Sequence, residues 1–434
     1  MKPPRRLNIV SEEESFVEMA NIGVDPVGIK LMAPKMRHLN LKIEGLICPQ
    51  ANILKQEMLS AGGDAAVSKD VIIGGTDTTD VIVFGTEKQL SNVIKKLNMQ
   101  PFNLKKVASA IKTAIDNIYR KEVILEVRKQ RLVLGKRTLI MGVLNITPDS
   151  FYDGGRYFKK VNAVKRALQM AEDGAHIIDV GGESSRPGSK PVPLKEELKR
   201  VVPVVKEVAK KSDALISVDT TKAAVAQQAI DAGADIINDI SAMRFDPGMA
   251  AVCAKSKIGV ILMHMRGTPA TMQMDVKYDD VISDIFNHLS ERVSFAVKAG
   301  IKRERIAIDP GIGFGKSPEG NLRIINRLSE FKTIGRPIAL GASRKSLIGK
   351  TLGLDVKDRL EGTIATVVAG ILNGAHIVRV HDVKEARMAA TMADAIRNEI
   401  VNCKMQNEDL IFFNLKFAVC IFQWSEATYA TGYF

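Results

Sequence analysis

The sequence predicts an α/β protein in which eight parallel strands alternate with helices and close into a barrel, behind a small N-terminal α/β domain. Eight short apolar runs recur in the second part of the chain, stretches of helical periodicity separate most of them, and each leads into a polar or charged residue. Such runs are typical of buried strands, and their alternation with helices is typical of a parallel sheet. Eight units are the number that closes a (β/α)8, or TIM, barrel.

The first region, residues 1–118, is predicted to be the small α/β domain. The expected elements in chain order are a strand at 39–45, a helix at 50–60, strands at 71–73 and 81–84, and helices at 87–98 and about 103–119. The segment Gly74-Gly-Thr-Asp-Thr-Thr79 is compatible with a phosphate-binding loop, but an ordinary turn is the preferred interpretation. The role of this domain stays open.

Residues 119–138 are predicted to be a basic linker with a hairpin at 122–134 that plugs the bottom of the barrel. The formal charge of the chain is +13, so nucleic acid and acidic membranes are partners to consider. Residues 95–137 hold twelve Lys or Arg against three Asp or Glu, which concentrates the charge just before the barrel. No nucleic-acid-binding motif accompanies it. We interpret this charge as a solvated face, with a docking surface for an acidic partner as the alternative.

Residues 139–402 are predicted to be the barrel. Its expected strands are 139–144, 177–180, 215–218, 236–237, 260–263, 306–308, 338–340 and 377–380. The polar residues to which these strands lead are Asn145, Glu183, Asp219, Asn238, His264, Asp309, Ser343 and His381. In such barrels the chemistry lies at the C-terminal ends of the strands, where these residues fall.

The remaining features bear on location. The four cysteines show no metal-binding or disulfide spacing, and no apolar run has a membrane span's length, so we expect a cytoplasmic protein. The tail at 403–434 changes in character, since eight of the 22 aromatic residues lie in 412–434. It is interpreted as a segment packed on the barrel or on a partner subunit, or as a sequence artefact.

Five motifs occur in order at the strand ends. They are Met141-Gly-Val-Leu-Asn-Ile-Thr-Pro-Asp-Ser-Phe-Tyr-Asp-Gly-Gly155, Asp179-Val-Gly-Gly-Glu-Ser-Ser-Arg-Pro-Gly188, Asp309-Pro-Gly-Ile-Gly-Phe-Gly-Lys316, Ser343-Arg-Lys-Ser346 and Arg379-Val-His381. Over roughly 125–400 the chain thereby closely resembles the dihydropteroate synthase family. That family condenses 6-hydroxymethyl-7,8-dihydropterin pyrophosphate with p-aminobenzoate, which gives 7,8-dihydropteroate and pyrophosphate in folate biosynthesis.

The resemblance implies a pterin site at Asp219, Asn238, Asp309, Lys345 and Met263. The acid and amide oxygens suit the donor edge of a pterin, and the family pattern places Lys345 on the ring carbonyl and a ring nitrogen. Taken singly, each Asp is equally well explained as a helix N-cap.

The resemblance also implies a pyrophosphate site. Asn145, Arg379 and His381 come from the first and last strands, which become neighbours when the barrel closes. Arg forks onto phosphate oxygens, and Asn145 resembles the family's ligand for Mg²⁺, the expected cofactor. The residues expected to carry the catalysis are Lys345, Arg379, His381 and Asp219.

The p-aminobenzoate pocket implied by the resemblance consists of Ser185, Arg186, Pro187, Phe314 and Ser346, beside Lys345. Most family members have Thr where this chain has Ser185, so a methyl group is lost from the pocket. Phe314 could instead pack the barrel rim. The loop 149–160 has the composition of a lid.

Three histidines lie outside the substrate sites that the resemblance implies. His176 and His376 precede strands and are interpreted as structural, while His264 is expected to shape the pterin slot rather than bind a metal.

Two other functions are compatible with a pterin-binding barrel. One is a pterin-binding methyltransferase that passes a methyl group from methyltetrahydrofolate to a corrinoid, and it has no pyrophosphate to hold. The other is a non-catalytic pterin-binding protein, which would show damage among the catalytic residues, and none is visible. The preferred hypothesis is a homodimeric dihydropteroate synthase with small-molecule substrates and neither nucleic acid nor membrane as partner.

Overall fold

The computed structural model describes residues 2–128, 130–146, 156–184, 186, 188–274 and 276–399. The chain divides into two compact units. Of the described residues, the first unit contains those up to Thr113 and those from Ile396 on, and the second contains those from Ala114 to Ala395. None of the described helices combines the length and the apolar character that crossing a bilayer requires.

The first unit is a three-stranded antiparallel sheet with helices, in the strand order β1-β3-β2. Its elements are α1 Glu12–Asn21, α2 Pro26–Met36, β1 His38–Ile47, α3 Cys48–Ser60, β2 Asp64–Ala66, β3 Thr78–Thr86, α4 Glu87–Leu97 and α5 Leu104–Ile118, the last of which continues into the second unit. Helix α1 begins at a reciprocal cap in which Ser11 accepts from the backbone of Glu14 and Glu14 accepts from the backbone of Ser11.

The predicted strand at 71–73 is wrong. Residues Lys69–Val71 form one short 3-10 turn that Ser68 caps, and β3 pairs instead with Asp64–Ala66. Val71 is buried, but Ile72 and Ile73 are each 80% exposed, so a run of three β-branched residues lacks the buried face that a strand needs. Helices α1 and α2 were not predicted.

The second unit confirms the predicted barrel. Its eight parallel strands are β6 Leu139–Asn145, β7 Ile177–Gly181, β8 Leu215–Asp219, β9 Ile236–Asp239, β10 Gly259–Met263, β11 Ile306–Asp309, β12 Ala339–Leu340 and β13 Ile377–Val380. They form one sheet in the order β11-β10-β9-β8-β7-β6-β13-β12. A parallel bridge between Ile308 and Ile338, with a hydrogen bond from the Ile308 nitrogen to the Pro337 oxygen at 2.9 Å, joins the two end strands.

Helices follow the strands. They are α6 Arg156–Glu172, α7 Leu194–Lys211, α8 Ala223–Ala232, α9 Met249–Ser256, α10 Val281–Lys298, α11 Pro318–Asn326, α12 Ser346–Leu352, α13 Leu360–Leu372 and α14 Val383–Glu399. Their buried faces and the outward faces of the strands form one continuous apolar core. This layered packing fixes the strand ends at a common rim.

The predicted hairpin is confirmed as strands β4 (Val123–Val127) and β5 (Gln130–Leu134). Leu125, Val127 and Leu134 pack against the inward-facing side chains near the starts of the barrel strands. The N-terminal end of the barrel is therefore closed by apolar packing, and the opposite rim is left for polar side chains.

The two histidines that precede strands are structural, as predicted. In His176 and His376 the Nδ1 atom accepts a hydrogen bond from the backbone of a neighbouring strand, at 3.0 and 3.1 Å respectively. The carboxylate of Asp235 likewise accepts a hydrogen bond from the backbone nitrogen of Ile216, at 3.0 Å. Burial lowers the pKa of His176 to about 4, which suits a neutral ring whose Nδ1 accepts.

Candidate active site

The predicted substrate-binding residues within the described chain lie at the C-terminal ends of the barrel strands or in the loops that follow them. They are Asn145, Arg186, Asp219, Asn238, Met263, Asp309, Phe314, Lys345, Ser346, Arg379 and His381. Ser185 and Pro187 lie outside the described residues, so their assignments stay predictions.

One charged network crosses the rim from the last strand to the second and third. Arg379 Nε lies 2.6 Å from Asp179 Oδ2, and Arg379 Nη2 lies 2.8 Å from Asp219 Oδ2. The amide nitrogen of Asn238 donates to the same Asp179 oxygen at 3.2 Å. Arg379, Asp219 and Asn238 are therefore brought together, and Asp179 is the residue that joins them.

Burial and charge oppose each other in this network. Burial raises the pKa of Asp219, whereas the adjacent Arg379 guanidinium lowers it. Burial also lowers the pKa of Arg379, but Asp179 and Asp219 outweigh that effect, so the pKa of Arg379 is raised and the group stays charged. A buried cation with two carboxylate partners is held in a fixed geometry before any ligand binds.

Asp179 is the first residue of the second motif but was not predicted as a site residue. It is fully buried in β7, and its Oδ1 atom has no hydrogen-bond partner among the described residues. The available signal was an acidic residue inside an apolar run, at the alternating position that points into the barrel with Ile177. A buried, partly unsatisfied carboxylate costs stability, and such a cost is commonly met at functional sites.

The sixth and seventh strand loops meet at Lys345. Its Nζ atom donates to the backbone oxygen of Ile312 at 2.5 Å and lies 4.5 Å from the centre of the Phe314 ring. Burial lowers the pKa of the Lys345 ammonium to about 8, although Asp309 raises it. Burial raises the pKa of Asp309, which Lys345 and the Gly311 backbone nitrogen oppose. Lys345, Phe314 and Asp309 thus form a wall of the candidate site.

Lys316, which was not predicted as a site residue, contacts the backbone of the loop that carries Phe314. It is 3% exposed, and its Nζ atom lies 2.8 Å from the Gly311 oxygen, 3.0 Å from the Phe314 oxygen and 2.9 Å from His264 Nδ1. The Nδ1 atom of His264, the residue predicted to shape the pterin slot, is therefore in hydrogen-bond contact with the Lys316 side chain. Nothing in the local sequence distinguishes this buried lysine from an exposed one.

An apolar cluster lies beside these polar groups. It contains Ile240, Met263, Met265, Met272 and Phe314, all less than 9% exposed. Flat aromatic and flexible thioether side chains suit a planar heterocycle.

The amide oxygen of Asn145 lies over the backbone of Gly181. A Cβ atom added to Gly181 would be 3.3 Å from Asn145 Oδ1 and 3.8 Å from Asp219 Cβ, so Asn145 and Asp219 flank this glycine. Among the described residues, no group of three or more His, Cys, Asp or Glu side chains could hold a metal ion. The amide oxygen of Asn145 suits a hard cation that takes its other ligands from phosphate and water, as Mg²⁺ commonly does.

Lys222, another residue that was not predicted, holds the beginning of the loop that follows β7, the second barrel strand. Lys222 Nζ lies 2.5 Å from Glu183 Oε2 and also pairs with the buried Glu197. Thr220 donates to the second Glu197 oxygen at 2.7 Å. Arg186, further along this loop, is exposed.

Two further predictions concern the other loops. The predicted lid at 149–160 extends too far, because residues 156–160 already belong to α6, and residues 149–155 lie outside the described chain. Residues 403–434 also lie outside it. Ser346, predicted in the p-aminobenzoate pocket, is the exposed first residue of α12, directly after Lys345.

Comparisons with known proteins identify the family of the chain. The model of the family described as "Pterin binding enzyme" matches residues 141–381. A dihydropteroate synthase of Synechocystis sp. is 48% identical over 263 residues, which are 60% of this chain and 91% of the relative.

Two solved structures share the fold. The dihydropteroate synthase of Yersinia pestis with a sulfonamide drug complex has a TM-score of 0.61 and 42% identity, and the match covers 64% of this chain and 100% of that one. The dihydropteroate synthase of Xanthomonas albilineans with 4-aminobenzoic acid has a TM-score of 0.60 and 39% identity, over 64% and 98% of the two chains. The chain belongs to the pterin-binding enzymes, in the dihydropteroate synthase family.

Proposed function

We infer that the protein is a transferase that condenses 6-hydroxymethyl-7,8-dihydropterin pyrophosphate with p-aminobenzoate, giving 7,8-dihydropteroate and pyrophosphate. The observation that carries this function is the Arg379 guanidinium, which Asp179 and Asp219 hold at the rim, two residues before His381. A cation fixed beside pterin-type acceptors suits a substrate that joins a pterin to a pyrophosphate.

We propose that the pterin lies between the charged network around Arg379 and the wall formed by Lys345, Phe314 and Asp309. Asp219, Asn238 and Asp309 would accept from the donor edge of the ring, and Lys345 would donate to the carbonyl edge. The support is that all four are largely withdrawn from solvent in the barrel mouth, where a missing ligand hydrogen bond is costly. Met263 belongs to the apolar cluster that would cover the ring face.

For the pyrophosphate we propose Asn145, Arg379 and His381. Arg379 uses Nε and one N–H of Nη2 on the two carboxylates, which leaves the N–H groups of Nη1 and the second one of Nη2 as donors for a phosphate oxygen. Mg²⁺ bound through Asn145 and the phosphates would neutralise charge on the leaving group. The residues of the chain supply fixed positive charge and hydrogen-bond donors where the pyrophosphate departs.

For p-aminobenzoate we propose a pocket formed by Ser185, Arg186, Pro187, Phe314 and Ser346. The structure of the Xanthomonas albilineans relative contains 4-aminobenzoic acid. The neutral aniline nitrogen forms the new bond to the pterin methylene carbon, the bond from that carbon to the pyrophosphate oxygen breaks, and the nitrogen then loses one proton to solvent. Catalysis by the chain is therefore mainly positioning and charge stabilisation.

We also propose a cytoplasmic homodimer. Helix α14 carries Met388 and Met392 four residues apart on one face, 60% and 62% exposed, and apolar side chains at this spacing suit a subunit contact. Cys48 and Cys253 are free thiols, as a reducing compartment maintains them. Light scattering of Met392→Asp against the parent protein tests the dimer, which this charge is expected to weaken.

The test of the function is pyrophosphate release from the pterin pyrophosphate, measured with and without p-aminobenzoate, with dihydropteroate identified by mass spectrometry. Arg379→Lys is expected to lose at least a hundredfold in turnover, because a compact ammonium cannot reproduce the planar fork whose separate nitrogens bind Asp179 and Asp219. Arg323→Lys, at an exposed position of α11, is the matched control. Pterin binding without release of pyrophosphate in the parent protein would contradict the proposal.

A further inference from the structure

Ser343 and Arg344, in the loop after β12, form side-chain contacts with His381 and Asp382, which follow the last strand. Ser343 Oγ lies 3.0 Å from His381 Nδ1 and 3.2 Å from the backbone nitrogen of His381. Arg344 forms a bidentate pair with Asp382, at 2.8 and 2.9 Å. We call these four residues the clasp. It joins the loop that presents Lys345 to the strand end that presents His381.

The clasp determines which way the hydrogen bond to His381 runs. The Ser343 oxygen accepts from the His381 backbone N–H, and its own hydrogen is then available to Nδ1. A neutral histidine whose Nδ1 accepts carries its hydrogen on Nε2. With the other tautomer, two donors would point at the same oxygen. The hydroxyl hydrogen of Ser343, which is 4% exposed, would then have no acceptor among the described residues.

The neighbouring backbone keeps the clasp in place. Arg344 has φ +54°, a conformation that residues other than glycine rarely adopt. Its backbone nitrogen donates to Thr363 Oγ1 at 3.0 Å, and its backbone oxygen accepts from Arg359 Nη1 at 3.0 Å. Strain held by several surrounding contacts is commonly found at functional sites.

We propose that Ser343 is a positioning residue that holds His381 in the tautomer with its hydrogen on Nε2, so that Nε2 donates to the departing pyrophosphate. The inference rests on the proposed function, in which His381 serves the leaving group. Burial and the adjacent Arg379 lower the pKa of His381 to about 4, so the ring is neutral at pH 7 and its tautomer decides which nitrogen donates.

The tautomer can be measured without any assay of activity. In full-length protein labelled with ¹⁵N-histidine at pH 7, the two ring nitrogens of His381 are assigned by the signals lost in His381→Gln. We expect a protonated Nε2 and an unprotonated Nδ1 in the parent protein, and loss of that preference in Ser343→Ala. A proton on Nδ1 in the parent protein, or an unchanged tautomer in Ser343→Ala, would overturn the proposal.

Kinetics supply the second test. Ser343→Ala is expected to lower kcat about tenfold, the effect of one hydrogen bond, and to leave KM for p-aminobenzoate unchanged. In the His381→Gln background the same substitution should cause no further loss, because Ser343 acts through His381. Ser294→Ala, which removes a hydroxyl on the exposed face of α10, is the control.

The two tests distinguish failure of the Ser343 proposal from failure of the proposed function. An equal loss in both backgrounds would show that Ser343 only supports the fold, and would overturn the proposal. A parent protein without synthase activity would contradict the proposed function, and the ¹⁵N measurement would still decide the tautomer.

Discussion

The ammonium of Lys345 lies 4.5 Å from the centre of the Phe314 ring, and this pair ties the seventh loop of the barrel to the sixth. A cation over an aromatic face contributes roughly 0.5–2 kcal/mol, depending on how far the pair is desolvated. Phe314 is only 7% exposed, so we expect the contribution of this pair to lie near the upper end of that range. A long, flexible side chain is thereby fixed where pterin and p-aminobenzoate are proposed to meet.

Lys345→Ala is expected to lower turnover at least a hundredfold, which corresponds to about 2.7 kcal/mol of transition-state stabilisation. The physical reason is the loss of the proposed donor to the pterin carbonyl edge. Steady-state kinetics and a thermal melt measure it, with Lys350→Ala at an exposed position of α12 as the control. Near-normal turnover with an unchanged melting temperature would remove Lys345 from the site.

The pH profile gives a second prediction. The pKa of Lys345 is lowered to about 8, first by burial, so the ammonium is charged below that pH and loses its proton above it. We expect kcat/KM to fall above about pH 8 as the donor is titrated. Lys345→Arg is slower but stays charged throughout the range, so its profile should lack this decrease. An identical alkaline limb in both proteins would assign the limb to another group.

The barrel was predictable because its signals are local. Each strand is a short apolar run that ends in a polar residue, and the parallel order follows from the intervening helices. Even β12, which is two residues long, was placed correctly at 338–340 by this pattern. The strand wrongly predicted at 71–73 had the apolar residues and lacked a neighbour to bury them, and local composition does not contain that information.

The missed site residues depend on partners distant in the chain. Asp179 and Arg379 are 200 residues apart, and only closure of the barrel brings them together. Lys316 follows a glycine-rich loop that folds back so that the carbonyl oxygens of the loop accept hydrogen bonds from the Lys316 side-chain nitrogen. Gly311, Gly313 and Gly315 all have positive φ in this loop, which shows why glycine is needed there. The sequence contains those glycines but not the direction of the lysine side chain.

Lys316→Met is expected to destabilise the protein by roughly 2–4 kcal/mol, because the Gly311 and Phe314 carbonyl oxygens lose a buried donor. The same change should raise KM for p-aminobenzoate, since Phe314 belongs to the loop that Lys316 holds. Denaturant unfolding and steady-state kinetics measure the two effects. The control Lys350→Met should change the free energy of unfolding by less than about 0.5 kcal/mol. Equal stability of the two variants would show that the carbonyl contacts contribute nothing.

Removal of the N-terminal domain tests whether the barrel suffices. A protein that begins at residue 120 keeps the hairpin and every described site residue, so we expect it to make dihydropteroate. It loses Asn117, whose amide donates to the Thr333 oxygen at 2.9 Å, whereas a protein that begins at residue 104 keeps it. The shorter protein should be less stable by denaturant unfolding by at least about 1 kcal/mol, because it loses both this hydrogen bond and the buried Ile115. Folded but inactive protein from both truncations would place the first unit in the active site.

Binding of p-aminobenzoate should depend on the other substrate. Its single carboxylate has Arg186 and Ser346 as proposed partners, and both are exposed, so holding Arg186 in place costs side-chain entropy. The pyrophosphate carries several charges and would meet Asn145, Arg379 and His381 together with Mg²⁺. We therefore expect p-aminobenzoate to bind weakly to the free protein and more tightly by roughly 1–3 kcal/mol once a pterin and Mg-pyrophosphate are present. Calorimetric titrations with and without those ligands measure the coupling. Equal affinity in the two titrations would mean that the p-aminobenzoate pocket is complete before the pterin arrives.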